Sequence, residues 1–132
     1  PLADRLDLHC QAVAIEPGSW ILNDERASGV DSAAMRKQVL AARKLQSSRW
    51  GPGLTNSAVP AARLVQDGGF SGEALAVLRR ISEGLAFSGR AFVKALRVAR
   101  TAADLAGREV VGEEEMLEAL SYRSEAEKLN GG

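Results

Sequence analysis

Punctuation constrains this chain more than any other feature. Between Asp31 and Arg123, glycine, proline and serine recur at "GPG" 51–53, Gly68, Gly69, Ser71, Ser88, Gly107 and Gly112, and the stretches between them have helical length. Asp31 or Ser32 can cap a first helix, "SAAMRKQVLAARKLQSSRW", in which Met35, Val39, Ala42 and Leu45 fall on one predicted apolar face. A shorter helix is expected from Pro60 to the glycines at 68 and 69. Ser71 opens a third, with Leu75, Leu78 and either Ile81 or Leu85 inward, and Ser88 opens a fourth that Gly107 closes. The run "EEEMLEALSYR" forms a fifth, with acids in its first turn and Arg123 in its last, as the helix dipole favours. The expected fold is therefore mostly α, a compact bundle of four to five helices.

The ends read differently. "LHCQAVAI" alternates enough for a short strand or extended segment, and 16–31 has the Pro, Gly, Asn and Asp of a loop onto which Trp20 and Ile21 can tuck. The expected organisation is an extended segment over 1–15, a linker over 16–31, a helical domain over 32–124 and a fraying tail over 125–132. A chain that starts "PLADRLDLHC", without methionine, is read as a piece of a longer protein. A lone cysteine, Cys10, excludes an internal disulfide and fits a reducing, cytoplasmic setting; its apolar neighbours place it in the core. No apolar run reaches the roughly 18 residues of a membrane span, so no membrane partner is expected.

Enzymatic machinery is missing from the sequence. There is no phosphate-binding G-x-x-x-x-G-K-[ST], no G-x-G-x-x-G, and His9 is the only histidine, so no His-based metal cluster is expected and His9 reads as structural. The 17 basic and 17 acidic side chains cancel but are not mixed evenly. From Asp31 to Asp67 the chain carries Arg36, Lys37, Arg43, Lys44, Arg49 and Arg63 and no acid, while 109–127 is acid-rich. Arg36 and Arg43 are seven apart, with Lys37 and Lys44 repeating the step, which makes a basic stripe. Such a stripe is either a solvated face or a surface for nucleic acid, although no stacking aromatic accompanies it except Trp50.

The fourth helix raises a sharper question. At 100 degrees per residue Phe92, Leu96, Ala99, Ala103 and Ala106 gather on one side, with Arg90, Lys94, Arg97, Thr101 and Asp104 on the other. Arg90 sits in the first turn, where the dipole disfavours a cation, so helix stability does not explain it. An anion held there by a guanidinium fork and first-turn N–H groups would. The alternative is an ordinary charged surface, with Arg100 and Asp104 as an i,i+4 pair.

"FSGRAFVKALRVARTAADLAG" followed by "VVGEEEMLEALSYR" resembles the C-terminal domain of magnesium-chelatase-like AAA+ ATPases, the ComM/YifB competence family. "PLADRLDLH" is similar to that family's "PLLDRxDLH" at the end of the ATPase core, and "MRKQVLAARKLQSSRWGPGLTN" to its "RVxxARxxQxxR" helix with a following "LNA". The resemblance implies a helical lid whose parent binds ATP and Mg2+ between subunits of a homo-oligomeric ring, with no cofactor expected on the lid alone. It implies that Arg90 is the sensor-2 arginine, that Arg5 stands at the arginine-finger position, and that Arg97 is a further nucleotide-side cation. It also implies, as partners, the rest of the ATPase core and neighbouring subunits, with DNA rather than a tetrapyrrole as the parent's substrate and the 36–49 stripe available to DNA. A freestanding nucleic-acid-binding module and a subunit of a true magnesium chelatase are the competing readings. Leu6, Phe87, Lys94 and Gly112 depart from the family's usual residues, and none of these is a proposed phosphate ligand.

Overall fold

The computed structural model describes residues 5–12, 14 and 31–130, with side chains described as far as Arg123. Five helices follow one another: α1 (Ser32–Trp50), α2 (Ala61–Asp67), α3 (Gly72–Gly84), α4 (Gly89–Leu105) and α5 (Glu113–Asn130). Among the described residues there is no strand, only one isolated parallel bridge between Phe70 and Val111. The predicted linker at 16–30, with Trp20 and Ile21, lies outside the described residues.

The predicted caps form. Asp31, Ser71 and Ser88 each accept, through the side-chain oxygen, the N–H three residues on, at 2.7, 3.0 and 3.1 Å, which satisfies one of the four donors every helix start leaves open. At α5 the cap works in reverse: Gly112 has no side chain to offer, and Glu115 reaches back to accept its N–H at 2.9 Å. α5 continues to Asn130, so the helix runs past residue 124, where the sequence suggests a tail begins.

α4 is the central element and packs on the other four helices. Its small residues Ala91, Ala95, Ala99 and Ala103 are fully buried, which lets neighbouring helices approach closely. Around them Leu64, Leu78, Leu96, Met116 and Val111 complete the core. One apolar assignment is corrected, since Ala106 is exposed. On α3, Leu78 is buried with Ala74 and Val77, Leu75 and Ile81 pack against the core, and of the two alternatives Ile81 faces inward while Leu85 lies 40% exposed. α1 departs further. Ala42, Gln46 and Trp50 are buried, but Met35, Val39 and Leu45 are 52, 47 and 39% exposed: the buried row steps by four through Gln46 and Trp50 and leaves Leu45 to one side, and the first half of α1 buries no residue.

The bundle is closed by buried charge. Asp104, expected on the polar side of α4, is 2% exposed and takes a bidentate contact from Arg49 at 2.6 and 3.2 Å, Arg100 at 3.1 Å and the Asn56 amide at 3.0 Å. Asn56 in turn accepts from the Trp50 indole at 2.8 Å and donates its own backbone N–H to the Gln46 side-chain oxygen at 2.9 Å. Arg49 and Arg63 flank the Trp50 ring at 5.4 and 5.6 Å. Arg49 and Arg63 therefore belong to the packing of α1 and its following loop rather than to a free basic stripe.

Arg100 is the second half of the lock. Its guanidinium donates to the carbonyls of Gly68, Glu109 and Arg108 at 2.8, 2.7 and 2.6 Å, tying the α2–α3 connection to the α4–α5 connection. Burial draws this guanidinium below its ordinary value, Asp104 opposes the shift and Arg49 adds to it; an arginine remains charged regardless. Gly69 makes the close approach possible, since at φ +70° a Cβ there would sit 3.0 Å from the Glu109 carbonyl.

Asp104→Ala leaves two guanidinium groups without their carboxylate in a dry site. We expect a loss of about 3–5 kcal/mol, read by urea unfolding followed by circular dichroism; a change under about 1 kcal/mol would contradict this account of the core.

Candidate functional site

Arg90 stands at the second position of α4, exposed, with no hydrogen bond or ion pair to any described residue. Ser88 accepts the N–H of Ala91 through its side chain and that of Phe92 through its carbonyl, so the N–H groups of Gly89 and Arg90 keep no intrahelical acceptor. α4 has no acid in its first turn. An uncompensated guanidinium beside two open N–H groups at the positive end of a helix fits a phosphate oxygen both in charge and in donor geometry.

One and two turns further along, the cations do other work. Lys94 pairs with Asp7 at 2.9 Å, and Arg97 donates to the Val59 carbonyl at 3.1 Å while its Nε is buried without a partner. The Asp7–Lys94 pair draws the N-terminal segment onto α4. Two further contacts hold it on α5: Arg123 donates to the Leu6 carbonyl at 3.2 Å, and His9 donates its N–H to the Tyr122 carbonyl at 3.1 Å. Arg5 thus lies exposed, two residues from an anchor on the helix that carries Arg90. His9 is half-buried in this contact, whereas Cys10, expected in the core, is exposed.

Between the N-terminal segment, α4 and α5 lies a cleft of about 310 Å³ lined by Leu8, Arg97, Thr101, Leu105, Glu118 and Tyr122, among others. The Tyr122 hydroxyl donates to Glu118 at 3.2 Å. That hydrogen bond and the negative charge of Glu118 hold the phenol above its ordinary value.

The basic stripe is elsewhere. Arg36, Lys37, Arg43 and Lys44 are all exposed and surround Leu40 on one face of α1. α1 meets α4 at the Leu105 end, roughly 22 Å from Arg90 at 1.5 Å per residue. The structure therefore separates the two candidate surfaces. Among the described residues no group of three or more His, Cys, Asp or Glu could hold a metal ion, and no helix is long and apolar enough to cross a membrane.

The i,i+4 pair of Arg100 with Asp104 forms as the spacing allows, but its burial and the partners Arg49 and Asn56 were not foreseen in the sequence. A signal was available, since an acid in the last turn of a helix opposes the dipole, as Arg90 does at the other end, and requires cations to hold it.

Comparison with known proteins follows this geometry. The family described as "Magnesium chelatase, subunit ChlI C-terminal" matches residues 29–123. An uncharacterized protein of Mycobacterium tuberculosis is 34% identical over 125 residues, covering 93% of this chain and 24% of the relative. Competence protein ComM of Haemophilus influenzae and the uncharacterized protein YifB of Escherichia coli are each 31% identical over 124 residues, covering 94% of this chain and 24% of theirs. The chain thus spans about a quarter of the length of these relatives.

Two measurements check the site. Arg90→Ala should leave unfolding free energy within about 0.5 kcal/mol of the parent value, as for an unpaired surface residue, whereas Arg97→Ala should cost about 1–3 kcal/mol by stripping a carbonyl of its donor. Tyr122 is the only tyrosine, so absorbance at alkaline pH reports it alone. Its midpoint should lie above about 10 and fall in Glu118→Gln. Because the folded value is the raised one, the stabilisation is complete below the unfolded midpoint and is lost as pH rises through the folded one.

Proposed function

The chain belongs to the magnesium chelatase subunit ChlI C-terminal family, and on that premise we propose that it is the helical lid of a ring-forming ATPase whose nucleotide is sensed by Arg90. The observation that carries the reading is the state of Arg90: exposed, unpaired among the described residues, and set beside open first-turn N–H groups where helix stability disfavours a cation. ATP bound to the core supplies the phosphoryl chemistry. The lid's part is to place a five-donor fork against the terminal phosphate and to stabilise charge there.

Arg5 is the second arginine of the proposal, acting on the nucleotide of a neighbouring subunit from a segment anchored to α4 by Asp7 and Lys94. Arg97 is withdrawn to a supporting place, since its guanidinium is occupied by the Val59 carbonyl; it positions α4 against the 51–60 loop. Because α4 is the hub of the bundle, a pull on Arg90 moves the lid as one body, which gives nucleotide state a mechanical output. The likeness to competence protein ComM favours DNA over a tetrapyrrole as the parent's substrate.

A second reading, a freestanding nucleic-acid-binding module, draws on the four exposed cations of α1. Neutralising about four phosphates, it predicts a log–log salt dependence of affinity near −3.6; a lid should bind duplex DNA far more weakly.

In the full-length protein, Arg90→Ala should lower ATP turnover by about 10³-fold or more with unfolding unchanged. Arg90→Lys should recover only part of the loss, since it restores charge but not the fork. Normal turnover in Arg90→Ala would remove the sensor assignment.

A further inference from the structure

Two exposed helix faces of this chain carry one pattern in opposite charge. On α1, Arg36 and Lys37 precede Leu40, with Arg43 and Lys44 one turn beyond; Leu40 is 53% exposed at the centre of four cations, none of them paired with a described residue. On α5, Glu113 and Glu114 precede Leu117 at the same spacing, with Glu118 beside it; Leu117 is 45% exposed at the centre of three acids. In both helices the leucine sits three and four residues after a charged pair, so the three side chains share one face.

The helix dipole accounts for acids in the first turn of α5. It does not account for the leucine among them, nor for Leu40 among the cations. Solvation of a charged face explains the charges alone. A phosphate backbone would use Arg36, Lys37, Arg43 and Lys44 but has nothing to offer Leu40, and the one aromatic of α1, Trp50, is buried at 3% exposure, so no base can stack there.

We propose that the basic face of α1 docks on the acidic face of α5 of a second copy of this chain, leucine against leucine with the charges paired around them. The proposal rests on the ring reading above and deepens it by naming the surfaces that meet. Because the two faces differ, the contact is head to tail, and a pair of copies keeps one free face of each sign between them; such a contact closes into a ring or propagates as a filament. Glu114 already holds Arg108 at 3.0 Å and Glu118 holds Tyr122, so Glu113, unpaired among the described residues, is the acid most available to a partner's cation. Desolvating two leucines at the centre and leaving the ion pairs at the rim is the usual division between affinity and orientation in such contacts.

The test uses the full-length protein and measures assembly by sedimentation velocity at fixed ATP and low salt. Arg36→Glu with Lys37→Glu should weaken association by about tenfold or more, as attraction turns to repulsion, and so should Glu113→Lys with Glu114→Lys. All four changes together should restore assembly, a rescue that local unfolding cannot imitate. Leu40→Ser should weaken assembly with little change in its salt dependence. Assembly unaffected by either reversal, or lost in both and not restored in the fourfold variant, overturns this contact while leaving the Arg90 assay to judge the lid independently. If the α1 reversal abolishes binding of a duplex oligonucleotide and spares assembly, nucleic acid is the occupant and the contact is wrong. A wild type that stays monomeric overturns this contact together with the ring.

Discussion

Everything in this bundle depends on the charges at Arg100 and Asp104, one helical turn apart and both without exposed side-chain surface. Neither is neutralised by the other alone. Asp104 also gathers Arg49 and Asn56 from α1 and its following loop, and Arg100 gathers three carbonyls from the two connections on the opposite side. A buried ion pair contributes little net stability against an apolar substitute, because desolvation offsets the attraction. What it contributes here is register, since any sliding of α1 or of either connection along α4 leaves a charge unsatisfied in a dry site.

That division explains the arrangement of α4. Its C-terminal half is fixed by buried charge and its middle by alanines that bring neighbours close. Its N-terminus presents a guanidinium with no internal task. Rigidity at one end and availability at the other suit an element that transmits the position of a bound anion to a whole domain. The same reasoning separates Arg90 from Arg97, two turns apart on similar faces: one is unpaired among the described residues, the other holds a carbonyl.

The legible part of the sequence was its local part. Caps at Asp31, Ser71 and Ser88, the helix stops at Gly68 and Gly107 and the five-helix count follow from short-range hydrogen bonding and φ/ψ limits that a few residues decide. The α1 face was misread because periodicity states which residues share a side but not which of them a neighbouring helix covers; Met35 and Val39 continue the row of Ala42, Gln46 and Trp50 and are exposed. Asp104 was misread because burial of a charge depends on partners 48 and 55 residues away. Arg90 was legible because its anomaly, a cation at a positive helix end, is itself local. The sensor role proposed for it came from resemblance rather than from periodicity.

Arg100 and Arg123 share a habit: each spends its guanidinium on main-chain carbonyls, those of Gly68, Arg108 and Glu109 in one case and Leu6 in the other. A carbonyl carries no side-chain identity, so these arginines read the path of the chain and ignore its spelling. Drift in residue type at positions 6 and 109 is therefore cheap, whereas Arg108 also pairs with Glu114 and the buried Glu115. A one-residue insertion or deletion in the same connections is not, because it moves the oxygens away from a group that cannot follow. Lineages of this domain should accordingly vary these connections in composition and keep them constant in length.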